Sequence, residues 1–399
     1  MKYVTLPLYM AMSLLSGCVS AVNYGKIPHA QLSADPKCNI KASDTAAIGD
    51  KPFFVVTSRL PDCVVTPLAL TNQRSDQIRY ARFAAPTKIL AAKGKNQKIT
   101  PFQFQGEAGW WASLSDAANA NNGRILLYVH GYRETFDSTS ADTAQIARLT
   151  QFTGPVVAYS WPSQGKLLGY GIDETNMYWD ENNFRRFLSR LAVQPWVKEI
   201  VLVSHSLGAR LVLPAVEFVD RTSSNADSSN ISNIILASPD VDRQDFERDI
   251  ADEVLAARRV NNDRRITVYA SAKDKALAFS RTLHGYPRLG STYCFDPFER
   301  AALKAKGLPE RCYASKSKYD VTPKKSGLTI VDTSEVSSGG AGHGDYLRSA
   351  AACTDFAAVA NGAVDRREGR TATQLSHVFR LQGLSNREKV NDAAVCKRD

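Results

Sequence analysis

Six short apolar runs constrain this chain more than any other feature. Arg124–His130 (RILLYVH), Val156–Trp161 (VVAYSW), Glu199–Val203 (EIVLV), Ile231–Ala237 (ISNIILA), Arg265–Ala270 (RITVYA) and Leu328–Asp332 (LTIVD) are nearly continuous in apolar residues. Strands covered on one face alternate, whereas strands covered on both faces read this way. Helical patterns lie between them: Asp142–Leu149, Asn182–Leu191, Leu207–Asp220, Asp242–Arg259 and Lys275–Leu283. In the second, Phe184, Phe187, Leu188 and Leu191 fall at three-to-four spacing and make one apolar face. Such alternation specifies an α/β fold: a mostly parallel sheet with right-handed crossovers and helices on both faces. Pro214 is expected to bend the helix that contains it.

The flanks are less regular. Pro52–Thr57 (PFFVVT) is a candidate first strand, followed by a polar, irregular stretch to about Lys98. Phe102–Leu114 is expected to be strand or turn, with Trp110 and Trp111 in the core rather than on a membrane-contact patch. The segment after Cys353 is polar and partly helical. A length of 399 residues allows two or three domains, but one α/β unit of 250 residues or more is common. The division expected is a leader over 1–17, a tether over 18–51, one folded body over 52–350 and an extension over 351–399.

Hydrophobic residues at 44% and charged residues at 23% exclude a mainly disordered chain, a coiled coil and a polytopic membrane protein. The net charge is +10, yet no Lys/Arg block of five or more occurs. This favours weak attraction to anionic surfaces over a nucleic-acid footprint.

The chain begins MKYVTLPLYMAMSLLSGC. One charge, Lys2, precedes an apolar run from Tyr3 to Leu15 that is too short to span a bilayer and suits a secretory leader. Leu15-Ser16-Gly17-Cys18 resembles the lipobox of bacterial lipoprotein signal peptides, in which the chain is cut before the Cys and the thiol is lipidated. Several acyl chains on Cys18 would anchor the protein stably. Val19, where many such proteins carry an inner-membrane retention Asp, points to the outer membrane, facing the periplasm. The other six cysteines are Cys38, Cys63, Cys294, Cys312, Cys353 and Cys396. An even number in an exported chain suggests three disulfides, with neighbour pairing 38–63, 294–312 and 353–396 the simplest of fifteen arrangements. No C-x-x-C pair occurs, so a zinc ribbon is unsupported.

The chemistry concentrates at Ile200-Val-Leu-Val-Ser204-His205-Ser206-Leu207-Gly208, a buried strand, a turn of small residues and a helix. A nucleophile elbow, G-x-S-x-G, has this form, with Ser204 replacing the first glycine. The turn lifts the Ser206 hydroxyl above the sheet edge at a helix N-terminus, where the dipole favours a developing anion. A serine nucleophile needs a base, and the base needs an orienting acid. Of the six histidines, His284, His343 and His377 follow Ser206. His343, in the glycine-rich segment after the Leu328–Asp332 run, is the candidate base. Asp274, after the fifth run, is the candidate acid, with a helix N-cap as the alternative reading. Asp240 and Asp242 compete with it. The expected oxyanion donors are the N–H groups of Leu207 and of Tyr132, with Gly131 allowing close approach and His130 bracing the loop. The aromatic stretch Trp161–Trp179 is either an acyl-pocket lining or a packed surface loop.

Taken together, several motifs resemble a group of bacterial α/β-hydrolases of largely uncharacterised function. They are Tyr128-Val-His130-Gly131-Tyr132, Ser160-Trp161-Pro162-Ser163-Gln164-Gly165, Tyr170-Gly-Ile-Asp173, Ser204-His-Ser206-Leu-Gly208, Ser238-Pro239-Asp240-Val-Asp242, Asp274-Lys-Ala-Leu277 and Gly342-His343. The likeness covers roughly residues 120–350. It implies an α/β-hydrolase fold and supports Ser206, Asp274 and His343, while saying little about substrate. The expectation is a lipid-anchored envelope protein that hydrolyses a small-molecule or lipid ester through an acyl-enzyme. No cofactor or metal is implied, and no nucleic-acid partner is expected. A non-catalytic scaffold and an acyltransferase with the same triad are the alternatives.

Overall fold

A computed structural model describes residues 52–62, 69–84, 102–222, 230–256, 264–337, 340–363 and 368–383. The leader, the tether, Cys18, Cys38, Cys63 and Cys396 lie outside them. Within the described residues, eleven strands form one sheet. They are β1 (Pro52–Asp62), β2 (Ala69–Ala84), β3 (Phe102–Gln105), β4 (Arg124–Val129), β5 (Val156–Ser160), β6 (Glu199–His205), β7 (Ile231–Ala237), β8 (Arg265–Ala270), β9 (Leu328–Asp332), β10 (Arg370–Ala372) and β11 (Val378–Leu381). Their order is β10-β11-β9-β8-β7-β6-β4-β5-β1-β2-β3. The run from β11 to β1 is parallel throughout. Antiparallel pairing is confined to the ends, β10 on β11 and β1–β2–β3.

Both faces of the central strands are buried, as their apolar runs require. Ile125, Leu127, Leu202, Ile234 and Val268 pack on one side with helices α1 (Glu107–Asn119), α3 (Tyr170–Ala192) and α4 (Ala209–Thr222). Leu126, Tyr128, Val201, Val203 and Ile235 pack on the other with α2 (Phe136–Thr150) and the helix Ala350–Ala360. After β5 the chain crosses back over β4 to lay down β6, so β4 has its two successors on opposite sides. Such a switch point opens a crevice at the carboxyl ends of the strands, where open α/β sheets place their ligands.

Four expectations are corrected. The stretch after Thr57 is not irregular over 69–84: β2 is a sixteen-residue strand on β1, with register shifts around Arg59. Its polar residues hid it, because an antiparallel edge region need not be apolar on both faces. Glu107–Asn119 is a helix, not strand or turn. Trp110 is fully buried and its indole N–H donates to the Ala81 carbonyl at 3.0 Å. The Asp242–Arg259 helix is a short helix over Arg243–Asp245, a wider π turn over Phe246–Ile250 and a last segment over Ala251–Ala256. Finally, the sheet continues beyond residue 350. β11 pairs with β9, and a buried Arg370–Asp355 ion pair, with the Tyr269 hydroxyl on Asp355 at 2.7 Å, ties this region to β8. Pro214 lies within α4, which runs unbroken to Thr222.

Cys294 and Cys312 form the expected disulfide, with Cα atoms 4.8 Å apart. Cys353 is also disulfide-bonded. No described helix is long and apolar enough to cross a membrane.

Candidate active site

β6 ends at His205, and Ser206 follows with φ of +52°, in the left-handed region. A residue with a Cβ enters that region at a cost, and persists there only where the surroundings over-determine it. Two glycines supply that determination. A Cβ on Gly208 would lie 2.5 Å from the His130 carbonyl oxygen, so α4 begins hard against the end of β4. A Cβ on Gly131 would lie 2.8 Å from the Ser206 Cβ. The Asp240 N–H donates to the Ser206 carbonyl at 3.0 Å and holds the turn from the third side. Ser204 is fully buried, and its hydroxyl has no hydrogen-bond partner.

The carboxylate of Asp274 has two duties. Its Oδ2 lies 2.7 Å from the His343 Nδ1, and its Oδ1 accepts from the Leu277 N–H at 2.9 Å, capping the helix Lys275–His284. The one carboxylate thus both faces His343 and caps a helix. A carboxylate can only accept, so Nδ1 of His343 carries the proton and Nε2 presents a lone pair. Burial disfavours the charged imidazole, but the charge and hydrogen bond of Asp274 outweigh it and raise the His343 pKa above the usual value. Gly342, at φ +73°, lets this segment press onto the acid loop, since a Cβ there would meet the Lys273 carbonyl at 2.7 Å.

His205 joins the base to the elbow. Its Nε2 lies 3.0 Å from the His343 carbonyl oxygen, and the two rings are 4.7 Å apart. That acceptor requires the proton on Nε2. Burial and the neighbouring His343 drop the His205 pKa to about 3, so the ring is neutral.

The competing carboxylates are occupied elsewhere. Asp240 accepts from Arg288 Nε at 2.7 Å, Ser280 Oγ at 2.6 Å and the Tyr170 hydroxyl at 2.5 Å. Burial alone would raise its pKa, but Arg288 and Arg210 hold it below the usual range. Asp242 caps the N–H groups of Gln244 and Asp245. His284 bonds Glu174 at 3.0 Å, and His377 bonds the Ala314 carbonyl at 2.9 Å.

The loop after β4 is braced as the sequence suggests, and by more residues than it suggests. The His130 ring stacks on Trp161 with centroids 4.7 Å apart, and the Trp161 N–H donates to the His130 carbonyl at 2.9 Å. Trp161 is thus core, and Tyr170 already opens α3, so most of the Trp161–Trp179 stretch is helix, not loop. Asp173 accepts from Arg133 N at 3.0 Å, Gln164 N at 2.6 Å and Ser163 Oγ at 2.5 Å. Arg59, fully buried on β1, donates to Ser160 Oγ, Asn72 Oδ1 and the Ser163 and Glu134 carbonyls at 2.8–3.1 Å. Burial lowers its pKa to about 10, still far above neutrality. Among the described residues the Tyr132 N–H meets no acceptor. Leu207 sits at the start of the turn into α4. Arg59 and His205 had no assigned role in the sequence: Arg59 lies outside every motif, His205 is the unassigned position of the elbow, and each has a partner more than 100 residues away, Ser160 and His343.

One cluster of metal-ligand type lies among the described residues, Cys294, Glu299 and Cys312. Its two sulfurs are bonded to each other and offer no thiolate.

Against known proteins, a family model described as "Alpha/beta hydrolase of unknown function (DUF900)" matches residues 111–354. No curated protein matches the chain.

Proposed function

Since the chain belongs to this family of alpha/beta hydrolases of unknown function, we propose that it is a serine hydrolase of carboxylic esters, lipid-anchored through Cys18 at the bacterial cell envelope. The observation that carries the reading is the 2.7 Å bond between Asp274 and His343, on a loop held against a strained Ser206 elbow. Ser206 Oγ attacks the ester carbonyl carbon as its proton passes to His343 Nε2. The carbonyl oxygen takes up the negative charge, facing the N–H groups of Leu207 and Tyr132. The alcohol leaves with the proton from His343, and the acyl group remains on Ser206. Water, deprotonated by the same nitrogen, then releases the acid. Asp274 keeps Nδ1 protonated and stabilises the imidazolium without taking the proton itself.

A fluorophosphonate probe tests this. Ser206 should be labelled in the wild-type chain and Ser206→Ala should not be. Equal labelling of both would remove Ser206 from the assignment, and no labelling of either would favour a non-catalytic scaffold. Product analysis with an added alcohol separates hydrolysis from acyl transfer. Mass spectrometry of the mature N-terminus tests the anchor: an acylated Cys18 supports it, and a free unlipidated start at Val19 or later opposes it.

A further inference from the structure

The mouth of the candidate site carries large apolar side chains that the fold does not use. Leu167 and Leu168 precede α3, and Phe279 and Leu283 stand one turn apart on the helix Lys275–His284. Tyr286 follows that helix, and all five are more than half exposed, Leu168 by 79%. Tyr170 joins the two groups. Its ring lies 5.3 Å from Tyr132 and 6.5 Å from Phe279. Tyr132 in turn bonds the Lys166 and Leu167 carbonyls through its hydroxyl. The leucines therefore flank the oxyanion loop, and the helix begins at Asp274, the partner of His343. Clustered apolar exposure of this kind marks an interaction surface.

Charge identifies the occupant. Lys166, Lys273 and Lys275 border the same mouth, all exposed, and none pairs with a carboxylate among the described residues. Of the acids beside Tyr170, Asp240 is taken by Arg288 and Arg210, and Glu174 by Arg210 and His284. Apolar side chains ringed by unpaired lysines suit the headgroup boundary of an anionic bilayer. The 34 residues from Cys18 to Pro52 could extend to about 110 Å, ample for an anchored body to turn its mouth to the lipid. We infer that the rim formed by Leu167, Leu168, Phe279, Leu283 and Tyr286 docks on an anionic lipid surface, so that the ester is drawn from the membrane rather than from solution. The inference deepens the proposed function, resting on the hydrolase reading for the word ester and on the Cys18 anchor for the reach of the tether.

Co-sedimentation with vesicles of phosphatidylglycerol and phosphatidylcholine tests the docking. The full chain is used with Cys18→Ser and Ser206→Ala, so that neither acylation nor turnover contributes. Binding is expected to weaken with added salt. Lys166→Glu with Lys273→Glu and Lys275→Glu should lower affinity on the order of 100-fold, at ~5-fold or more per lysine. Leu168→Ser with Phe279→Ser and Leu283→Ser should lower it at least about tenfold. Val193→Ser, exposed at the opposite edge of the sheet just before β6, should leave it unchanged. Equal binding by all variants would overturn the inference, as would a loss confined to the lysine variant, which means charge attraction alone. A lipid-free dimer that the leucine and phenylalanine changes turn into a monomer would overturn it too, by showing an interface between copies. Circular dichroism checks folding. Fluorophosphonate labelling of the chain with Ser206 intact runs in parallel, and its failure would remove the hydrolase reading without moving the vesicle result.

Discussion

Asp274→Asn separates the two duties of one carboxylate. In the helix cap, Asn is about as good an acceptor as Asp, so the 2.9 Å bond from Leu277 can persist. Loss of folding stability from the cap should stay below about 1 kcal/mol. Toward His343 the change is severe, because the amide can present N–H to Nδ1. The imidazole then carries its proton on Nε2 and has no lone pair for Ser206. The buried imidazolium formed during acyl transfer also loses the charge that offsets burial. The expected fall in kcat is up to about 10⁴-fold, the figure for the equivalent change in a trypsin-type triad. Asp240→Asn is the contrast. It leaves Arg288 and Arg210 against an uncharged amide in a buried site, at a cost of about 3–5 kcal/mol in stability. The protein that does fold should retain most of its activity. Turnover of a short soluble ester, with urea unfolding of each variant, reads both quantities. Near wild-type turnover in Asp274→Asn, or collapse in well-folded Asp240→Asn, would refute the assignment of the acid.

Four further outcomes follow from the geometry. As the proposed base His343 must be neutral, and its pKa lies above the ordinary histidine value. The acid limb of kcat/KM should therefore have its midpoint above about 6.5 and move down in Asp274→Asn, where burial remains and the charge does not. In stability the sign is opposite: the His343–Asp274 interaction contributes fully below about 6.5 and fades as pH rises through the folded pKa, which pH-dependent urea midpoints would detect. Gly131→Ala puts a Cβ 2.8 Å from the Ser206 Cβ and 2.9 Å from the His205 carbonyl. The oxyanion loop must retreat, and kcat should fall on the order of 100-fold with the fold intact; unchanged turnover would show that the loop has room. Ser204→Ala removes a buried hydroxyl without a partner and should stabilise the protein by up to about 1 kcal/mol, measurable as a higher urea midpoint.

What the sequence displayed, and what it hid, follows from the range of the forces involved. Three runs, Ile231–Ala237, Arg265–Ala270 and Leu328–Asp332, become strands with the same bounds. Strands buried on both faces write their environment into every residue. The turn at Ser206 was legible because strain at a strand–helix junction demands small neighbours. β2 was not, because register with β1 rather than alternation defines it. The Glu107–Asn119 helix gave no start signal, since Gly106 offers no capping side chain. β10 and β11, with three and four residues, are too short to carry a period. The roles of Arg59, Asp173 and His205 depend on partners brought near only by the folded sheet. Asp274 and Asp240 looked alike in one dimension, and three-dimensional partners tell them apart.

The position of Arg59 bears on where the working unit of this protein begins. A chain cut at residue 111, where the family match starts, would keep Ser206, Asp274, His343 and every expected oxyanion donor. It would lose a side chain that, alone among the described residues, reaches Ser160, Ser163 and the Glu134 carbonyl together, and those acceptors would face an empty, buried space. Transplanting residues 111–354 alone would thus move the chemistry without the bracket that holds its loops. The smallest portable piece is instead the span from β1 onward, which makes the antiparallel β1–β2 pair part of the frame of the candidate site rather than an ornament on its edge.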